Sequence, residues 1–295
     1  VISGFLITSL IVKDLEAGTF TLAGFWERRI RRIIPALACV VLMTLLAGWF
    51  VLLPNDFAEL GRSAVYLGLF SANTYFWRSS GYFDGAAEQK PLLHTWSLAV
   101  EEQFYLIFPL LLVGLFAIPL LRRRGVLLSL FGLGILVSLG ASAWGVILRP
   151  DATFYLLPTR AWELLLGAAV ALIPVPASAD DSVFAGRIAL TNNFRELLSS
   201  AALLGIILPS WHYTSDTPFP GIAALPPCLS TALFIWVTGV CSAESRVPLV
   251  ARALSVRPLV FVGLISYSLF LWHWPLNAFS NYASMKPPSA GDRWL

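Results

Sequence analysis

The chain reads as long uncharged apolar runs separated by short segments that hold nearly all of its charge. The runs are Val1–Val12, Ile33–Leu53, Leu98–Leu121, Val126–Leu148, Phe154–Ile173, Leu197–Leu208, Ile222–Cys241 and Leu259–Leu276. A helix rises about 1.5 Å per residue, so some 20 apolar residues match the hydrocarbon core of a bilayer. Each run is therefore predicted as a membrane helix. Leu197–Leu208 is short and needs Asn193–Glu196 and Pro209–Trp211 to complete it. Pro35, Pro109, Pro158 and Pro226–Pro227 fall in or near these runs, which membrane helices tolerate when neighbours satisfy the freed carbonyls.

One stretch resists this reading. Phe57–Trp77, "FAELGRSAVYLGLFSANTYFW", is apolar enough to be considered as a span. A full crossing there would place the two main arginine clusters on opposite sides of the membrane. It is predicted as an interfacial or re-entrant element with Glu59 and Arg62 near water; the alternative is a true span at which the arginine bias fails once. The expected architecture is all-α, a polytopic transmembrane bundle of about eight or nine spans. Residues 1–295 would form one membrane domain, with a polar linker loop at 175–193.

Composition agrees. Of the 295 residues 57% are hydrophobic and only 13% charged, and the mean hydropathy is +0.75. Soluble domains carry about 25% charged residues. The net charge of +3 matters through its placement. Arg28, Arg29, Arg31 and Arg32 form one cluster and Arg122, Arg123 and Arg124 another; Arg187 with Arg195, and Arg246 with Arg252 and Arg257, mark two further loops. Excess arginine marks cytoplasmic loops, so Pro54–His94, Arg149–Thr153 and His212–Pro220 are predicted to face outward. Cys39, Cys228 and Cys241 lie in apolar runs without metal-binding spacing and read as small hydrophobes. The first residues begin inside an apolar run without a signal-peptide layout, and the last stop in a polar stretch, as expected of an internal piece of a longer protein.

Four constellations carry candidate chemistry. In "HTWSLAVEEQFY" a helix starting near His94 places His94, Ser97, Glu101, Tyr105 and Phe108 on one stripe, while Glu102 points about 100° away from Glu101. A polar stripe on a membrane helix should face a bundle interior or a wet cavity, whereas acids near a helix start also serve as caps. In "LPTRAWELLLG", Arg160 and Glu163 can pair at i,i+3, and Gly167 lets a helix or a ligand approach. That pair is either a structural ion pair or an orienting group for His94 or a substrate hydroxyl. In "GLISYSLFLWHWPL", Ser266 and His273 share a face and Trp272 and Trp274 flank the histidine, an arrangement that also suits an interfacial aromatic belt. Arg28, Arg29, Arg31 and Arg32 can be presented together by a helix, to set topology or to hold anionic head groups or a phosphate-rich substrate. There is no Ser-His-Asp spacing, metal motif or P-loop, and no metal or nucleic acid is expected as a partner.

The ordered motifs "ISGFLIT", "FWERRIRRIIPAL", "NTYFW…GYFD", "KPLLHTWSLAVEEQFYLIFPLLL", "PTRAWELLLGA" and "LISYSLFLWHWPL" closely resemble the membrane acyltransferase type 3 family, bacterial O-acyltransferases of cell-surface glycans. The resemblance runs from Ile2 to about Leu276. It implies a multi-pass protein of the bacterial cytoplasmic (inner) membrane. An acyl group, usually acetyl, would pass from cytoplasmic acyl-CoA as co-substrate, with no bound cofactor, to a hydroxyl of an outward-facing polysaccharide, lipopolysaccharide or peptidoglycan unit. Arg28, Arg29, Arg31 and Arg32 would sit where the CoA phosphates arrive. His94, Glu101, Arg160 and Glu163 would fall near the acceptor or the transfer path. The resemblance further implies a helix before Val1 with a basic residue followed ten residues on by the principal histidine. It also implies a helix after Leu276 and, in many members, an appended outward-facing domain. On the residues alone a transporter or flippase of a lipid-linked sugar or acyl carrier, or an inactive sensor or scaffold, remains open beside the enzyme.

Overall fold

The computed structural model describes residues 1–79, 87–173, 191–214, 216–239 and 247–284. Most of the linker at 175–193, together with Arg187, Cys241, Arg246 and the "GYFD" motif, lies outside them. Every regular element among the described residues is helical. In chain order these are α1 (Ile2–Glu16), α2 (Leu22–Val51), α3 (Pro54–Gly68), α4 (Ala72–Arg78), α5 (Thr95–Ala117) and α6 (Arg124–Leu148). There follow α7 (Pro150–Tyr155), α8 (Leu157–Leu172), α9 (Asn192–His212), α10 (Leu225–Gly239), α11 (Leu249–Leu254) and α12 (Arg257–Ser284). Five segments are long and apolar enough to cross a bilayer: α2, α5, α6, Ile222–Gly239 (which contains α10) and α12. Their outer faces are apolar, as with Phe50, Val137 and Ile147, which suits lipid and not water. The protein is a multi-pass helical membrane protein; α1, α8 and α9 fall outside that set of five, so the expected count of eight or nine is not reached on length and composition.

The boundaries follow from local chemistry. α2 begins well before the apolar run because the Thr21 hydroxyl accepts from the Gly24 amide at 3.2 Å, capping a helix that takes in the whole arginine cluster. α9 extends through both flanks that the short run required. Phe154–Ile173 is divided between α7 and α8 at Leu156. Pro158 cannot donate to the Phe154 carbonyl, and Arg160 reaches back to that oxygen at 3.5 Å. Thr159 donates to the Thr153 carbonyl at 2.8 Å.

The chain packs as two compact units. One comprises Val1–Thr19, Pro109–Phe154 and Pro158–Phe261. In it α9 lies along α10. Ser138 of α6 inserts its hydroxyl into α8, donating to the Pro158 carbonyl at 2.6 Å and accepting from the Trp162 amide at 3.0 Å. α1 and α8 meet backbone to backbone. A Cβ on Gly4 would strike the Leu164 carbonyl, and one on Gly167 would strike the Val1 carbonyl. Gly167 thus admits a helix and not a ligand.

The other unit comprises Phe20–Phe108, Tyr155–Leu157 and Val262–Leu295. Its core is Ile33, Leu37 and Val40 of α2, Leu60 and Leu67 of α3, Phe76 of α4, Leu98 and Ala99 of α5, and Leu271 of α12. The apolar stretch at 57–77 is not one helix. α3 starts beside the end of α2, where Phe57 packs on Trp49 with ring centroids 5.5 Å apart. It runs back along α2 until Leu69 and Phe70 reach the level of Ile30 and Ile33. There the chain turns, with Phe70 at φ 50° and its successor's amide bonded to the Tyr66 carbonyl at 2.8 Å. α4 then returns. The turn leaves the Phe70 carbonyl exposed to the interior, and Gln103 of α5 donates to it at 2.9 Å. Gln103 also donates to Asn73 Oδ1 at 2.8 Å, and Asn73 in turn donates to the Tyr155 carbonyl at 3.2 Å. The stretch thus turns back on itself, with Arg62 exposed and Glu59 beside an open cavity.

The α1–α8 contact yields a direct test. Gly4→Val should lower stability by about 1–3 kcal/mol through overpacking, read as a fall in the thermal midpoint of the detergent-solubilised protein. Gly132→Ala, where a Cβ enters open space, should leave the midpoint unchanged or raise it slightly.

Candidate functional site

The candidate groups of the second unit gather along α5. Burial and proline chemistry explain where they sit. Pro109 has no N–H to offer the Tyr105 carbonyl, and the Trp26 indole of α2 donates to that oxygen instead, at 3.2 Å. This bond draws α2 and α5 together around a cavity of about 400 Å³. Its walls are mostly apolar, with Trp26, Ile30, Ile33, Ile34, Leu69, Phe70 and Leu106. Its polar groups are Arg29, Glu102, Gln103, Tyr105 and Ser71. Arg29 lies with its guanidinium 5.3 Å from the Tyr105 ring centroid and 5.7 Å from that of Phe25. Glu102 shares the cavity with Arg29 and is attracted to it. Its Oε1 is buried with no hydrogen-bond partner among the described residues.

The arginine cluster is therefore divided, where the sequence suggested joint presentation. Arg29 turns into the cavity, while Arg28, Arg31 and Arg32 are exposed and Arg31 pairs with Glu27 at 2.7 Å. The stripe on α5 is also redistributed. The Tyr105 hydroxyl donates to Glu101 Oε2 at 2.9 Å, and the Ser97 hydroxyl turns back onto the His94 carbonyl at 3.1 Å. Phe108 stacks on Phe104 and is buried in the packing. Glu102, off the stripe by its helical angle, is the acid that faces the cavity.

His94 occupies the turn just before α5 and is only 7% exposed. Its ring is enclosed by α12, with centroids 5.0 Å from Phe270, 5.6 Å from His273 and 6.4 Å from Trp274. The cause is again a proline. Pro275 leaves the Leu271 carbonyl without its helical donor, and the imidazole packs beside that oxygen. Neither ring nitrogen completes a hydrogen bond with the described residues. Burial, reinforced by His273 and opposed by the Leu271 carbonyl, pushes His94 down to about 3. The ring is thus neutral near pH 7, with a lone pair available. His273 is exposed, and its Nδ1 lies 2.7 Å from the Phe270 carbonyl. The two histidines were separate in the sequence reading and adjoin in the structure. Ser266 does not join His273: it is exposed and donates to the Gly263 carbonyl at 2.8 Å.

Arg160 and Glu163 belong to the first unit and pair there through two bonds of 3.0 and 3.1 Å. The guanidinium also lies 5.7 Å from the Phe154 ring centroid and 5.6 Å from that of Phe219. Both side chains are largely buried. A paired, stacked arginine that also satisfies the Phe154 carbonyl has a structural task complete in itself. No cluster of three or more metal-ligating side chains occurs among the described residues.

The described helices thus bring an arginine and a glutamate to one cavity and bury a histidine against α12. Residues 1–289 match the family model described as an acyltransferase domain, and the chain belongs to that family. The O-acetyltransferase OatA of Staphylococcus aureus is 32% identical over 293 residues, covering 95% of this chain and 45% of OatA. An uncharacterized protein of Haemophilus influenzae is 33% identical over 244 residues, covering 81% of this chain and 96% of its own length. The Bacillus subtilis protein YrhL, named provisionally as a peptidoglycan O-acetyltransferase, is 29% identical over 291 residues, covering 95% of this chain and 43% of YrhL. The chain thus spans less than half the length of OatA and YrhL. No solved structure matches it.

The depressed His94 value sets a sign for pH. Between the ordinary histidine value and about 3 the unfolded chain binds a proton that the folded chain refuses, so stability falls as pH is lowered through that window. At pH 5 the loss relative to pH 7.5 is on the order of 2 kcal/mol from this one group. Thermal midpoints of the purified protein should fall over that range, and His94→Gln should remove part of the slope.

Proposed function

We propose that this chain is the membrane part of a bacterial O-acyltransferase that moves an acyl group, acetyl in the simplest case, from cytoplasmic acyl-CoA to a hydroxyl of a cell-surface glycan. The glycan is a polysaccharide, lipopolysaccharide or peptidoglycan unit, and the membrane is the cytoplasmic (inner) one, with α1, α8 and α9 joining the longer apolar helices as spans. The observation that carries the reading is the arrangement on α5: the Arg29–Glu102 cavity near Tyr105 and a neutral buried imidazole at His94, about 15 Å apart along one helix. The names of OatA and YrhL support acetyl transfer, and that of YrhL supports a peptidoglycan acceptor.

The division of labour follows from charge and polarity. Arg28, Arg31 and Arg32, exposed at the start of α2, receive the phosphates of the donor. The apolar cavity with Arg29 accommodates the arm of the donor, and Arg29 donates to carbonyl oxygens along that arm, which carries the acyl carbon on toward His94. At the acceptor end a glycan hydroxyl forms the new C–O bond to the acyl carbon and gives its proton to a neutral imidazole. The C–S bond then breaks and the CoA sulfur leaves as thiolate, to be protonated from solvent. His94, beside His273, serves as that base or positions the acceptor for the base supplied by a preceding helix. Glu101 with Tyr105 lies between the two ends, while Arg160–Glu163 holds the α7–α8 junction. An appended outward-facing domain would act downstream of this transfer.

The test is transfer of label from radiolabelled acetyl-CoA into surface glycan by membranes containing the protein. Wild type should label glycan; Arg29→Gln and Glu102→Gln should each reduce labelling by about tenfold or more, and His94→Ala should also reduce it. Glycan label no higher than with empty membranes overturns the enzyme reading. Undiminished label in both cavity variants overturns the role given to the Arg29–Glu102 cavity alone.

A further inference from the structure

A second cavity in the same unit, of about 210 Å³, opens where α3 begins, near the end of α12. Its chemistry differs from that of the Arg29 cavity. Asp56, Glu59, Gln89 and Lys90 supply polar groups, and Tyr75 and Tyr282 supply aromatic rings. The Tyr282 hydroxyl accepts from the Leu53 amide at 3.0 Å and donates to Asp56, so the α2–α3 corner is clamped to α12 and the carboxylate is held in place. Lys90 is held as well. Its ammonium donates to the Ser79 carbonyl at 3.2 Å, and its own carbonyl accepts from the Trp274 indole at 2.9 Å.

Three features define the occupant. Carboxylates and an amide beside tyrosine rings match a polyhydroxylated ring, whose hydroxyls need acceptors at the edge and whose C–H face packs on aromatics. Two carboxylates facing a single ammonium repel phosphates, which excludes the CoA headgroup and phospholipid headgroups. The volume is below that of a site for a drug-sized molecule and suits one ring. The position adds a fourth argument. Leu92 lines this cavity two residues before His94, and Trp274, which holds Lys90, also packs on the His94 ring.

We propose that this cavity is a carbohydrate subsite that binds one neutral or N-acetylated amino-sugar ring of the acceptor glycan beside His94, with Asp56 and Glu59 accepting from its hydroxyls. The assignment rests on the reading of the chain as a glycan O-acyltransferase, and it is tested by binding and not by turnover. The purified protein in detergent is titrated with a β-1,4-linked N-acetylglucosamine tetramer by calorimetry, and with acetyl-CoA in a parallel experiment. Wild type should bind the tetramer. Glu59→Gln and Asp56→Asn should each weaken that binding about tenfold or more. Arg62→Gln, exposed on the same helix outside the cavity, should bind as wild type does. Glu59 is exposed, so its variant should fold even where Asp56→Asn, which alters the Tyr282 clamp, does not. Wild-type protein that binds acetyl-CoA but not the tetramer overturns the subsite. So does tetramer binding that Glu59→Gln leaves undiminished. Either result leaves the acyltransferase reading to stand or fall on the labelling experiment.

Discussion

A backbone polar group freed inside a bilayer has no water to turn to, and the local architecture of this protein follows from how each such group is satisfied. Pro109 frees the Tyr105 carbonyl and Trp26 takes it, which joins α2 to α5. The turn at Phe70 frees a carbonyl that Gln103 takes, which allows α3 to run inward and come back. Pro158 frees the Phe154 carbonyl, toward which Arg160 reaches. Pro275 frees the Leu271 carbonyl, and His94 packs there. Each repair fixes a side chain with chemical potential at a break in a helix. Candidate catalytic groups and structural necessities therefore occupy the same places.

That coincidence explains what the sequence could and could not reveal. Apolar runs are dictated by bilayer thickness, so α5 and α6 are legible within a few residues and α12 at its start, and the all-helical class with them. The start of α2 was less so: the arginine cluster, legible both as a topology marker and as a helix face, is helical because Thr21 caps the helix before it. The stretch at 57–77 forms two helices and not one, but nothing local marks Phe70 as the turning point. An apolar residue with positive φ is an exception held by its surroundings, here by Gln103 and Asn73.

The candidate site was legible one helix at a time. Helical spacing separates Glu101 from Glu102, yet only the third dimension says which matters to which partner. Arg29 arrives from α2, so the acid that faces it is Glu102, the one off the His94 stripe. His273 likewise comes to His94 through the Pro275 break, a contact that no spacing within either motif encodes. Arg160 and Glu163, at i,i+3, were readable as a pair because both partners lie on one helix. Asp56, Lys90 and Tyr282 escaped notice because each is an ordinary polar residue near a helix end. Their cavity exists only where the ends of α2 and α12 are clamped by one hydroxyl.

On the proposed reading the two cavities of this unit serve different ligands. A thioester donor is anionic at one end and apolar along its arm, and it calls for guanidinium in greasy surroundings. A sugar acceptor is neutral and dense in hydroxyls, and it calls for carboxylates and aromatic faces. Arg29 lies against the middle of α5 and the Asp56–Glu59 cavity beyond its start, with a buried histidine beside the latter. The helix breaks make this separation possible, because each brings polar groups into the interior at a depth that an unbroken apolar helix would leave dry.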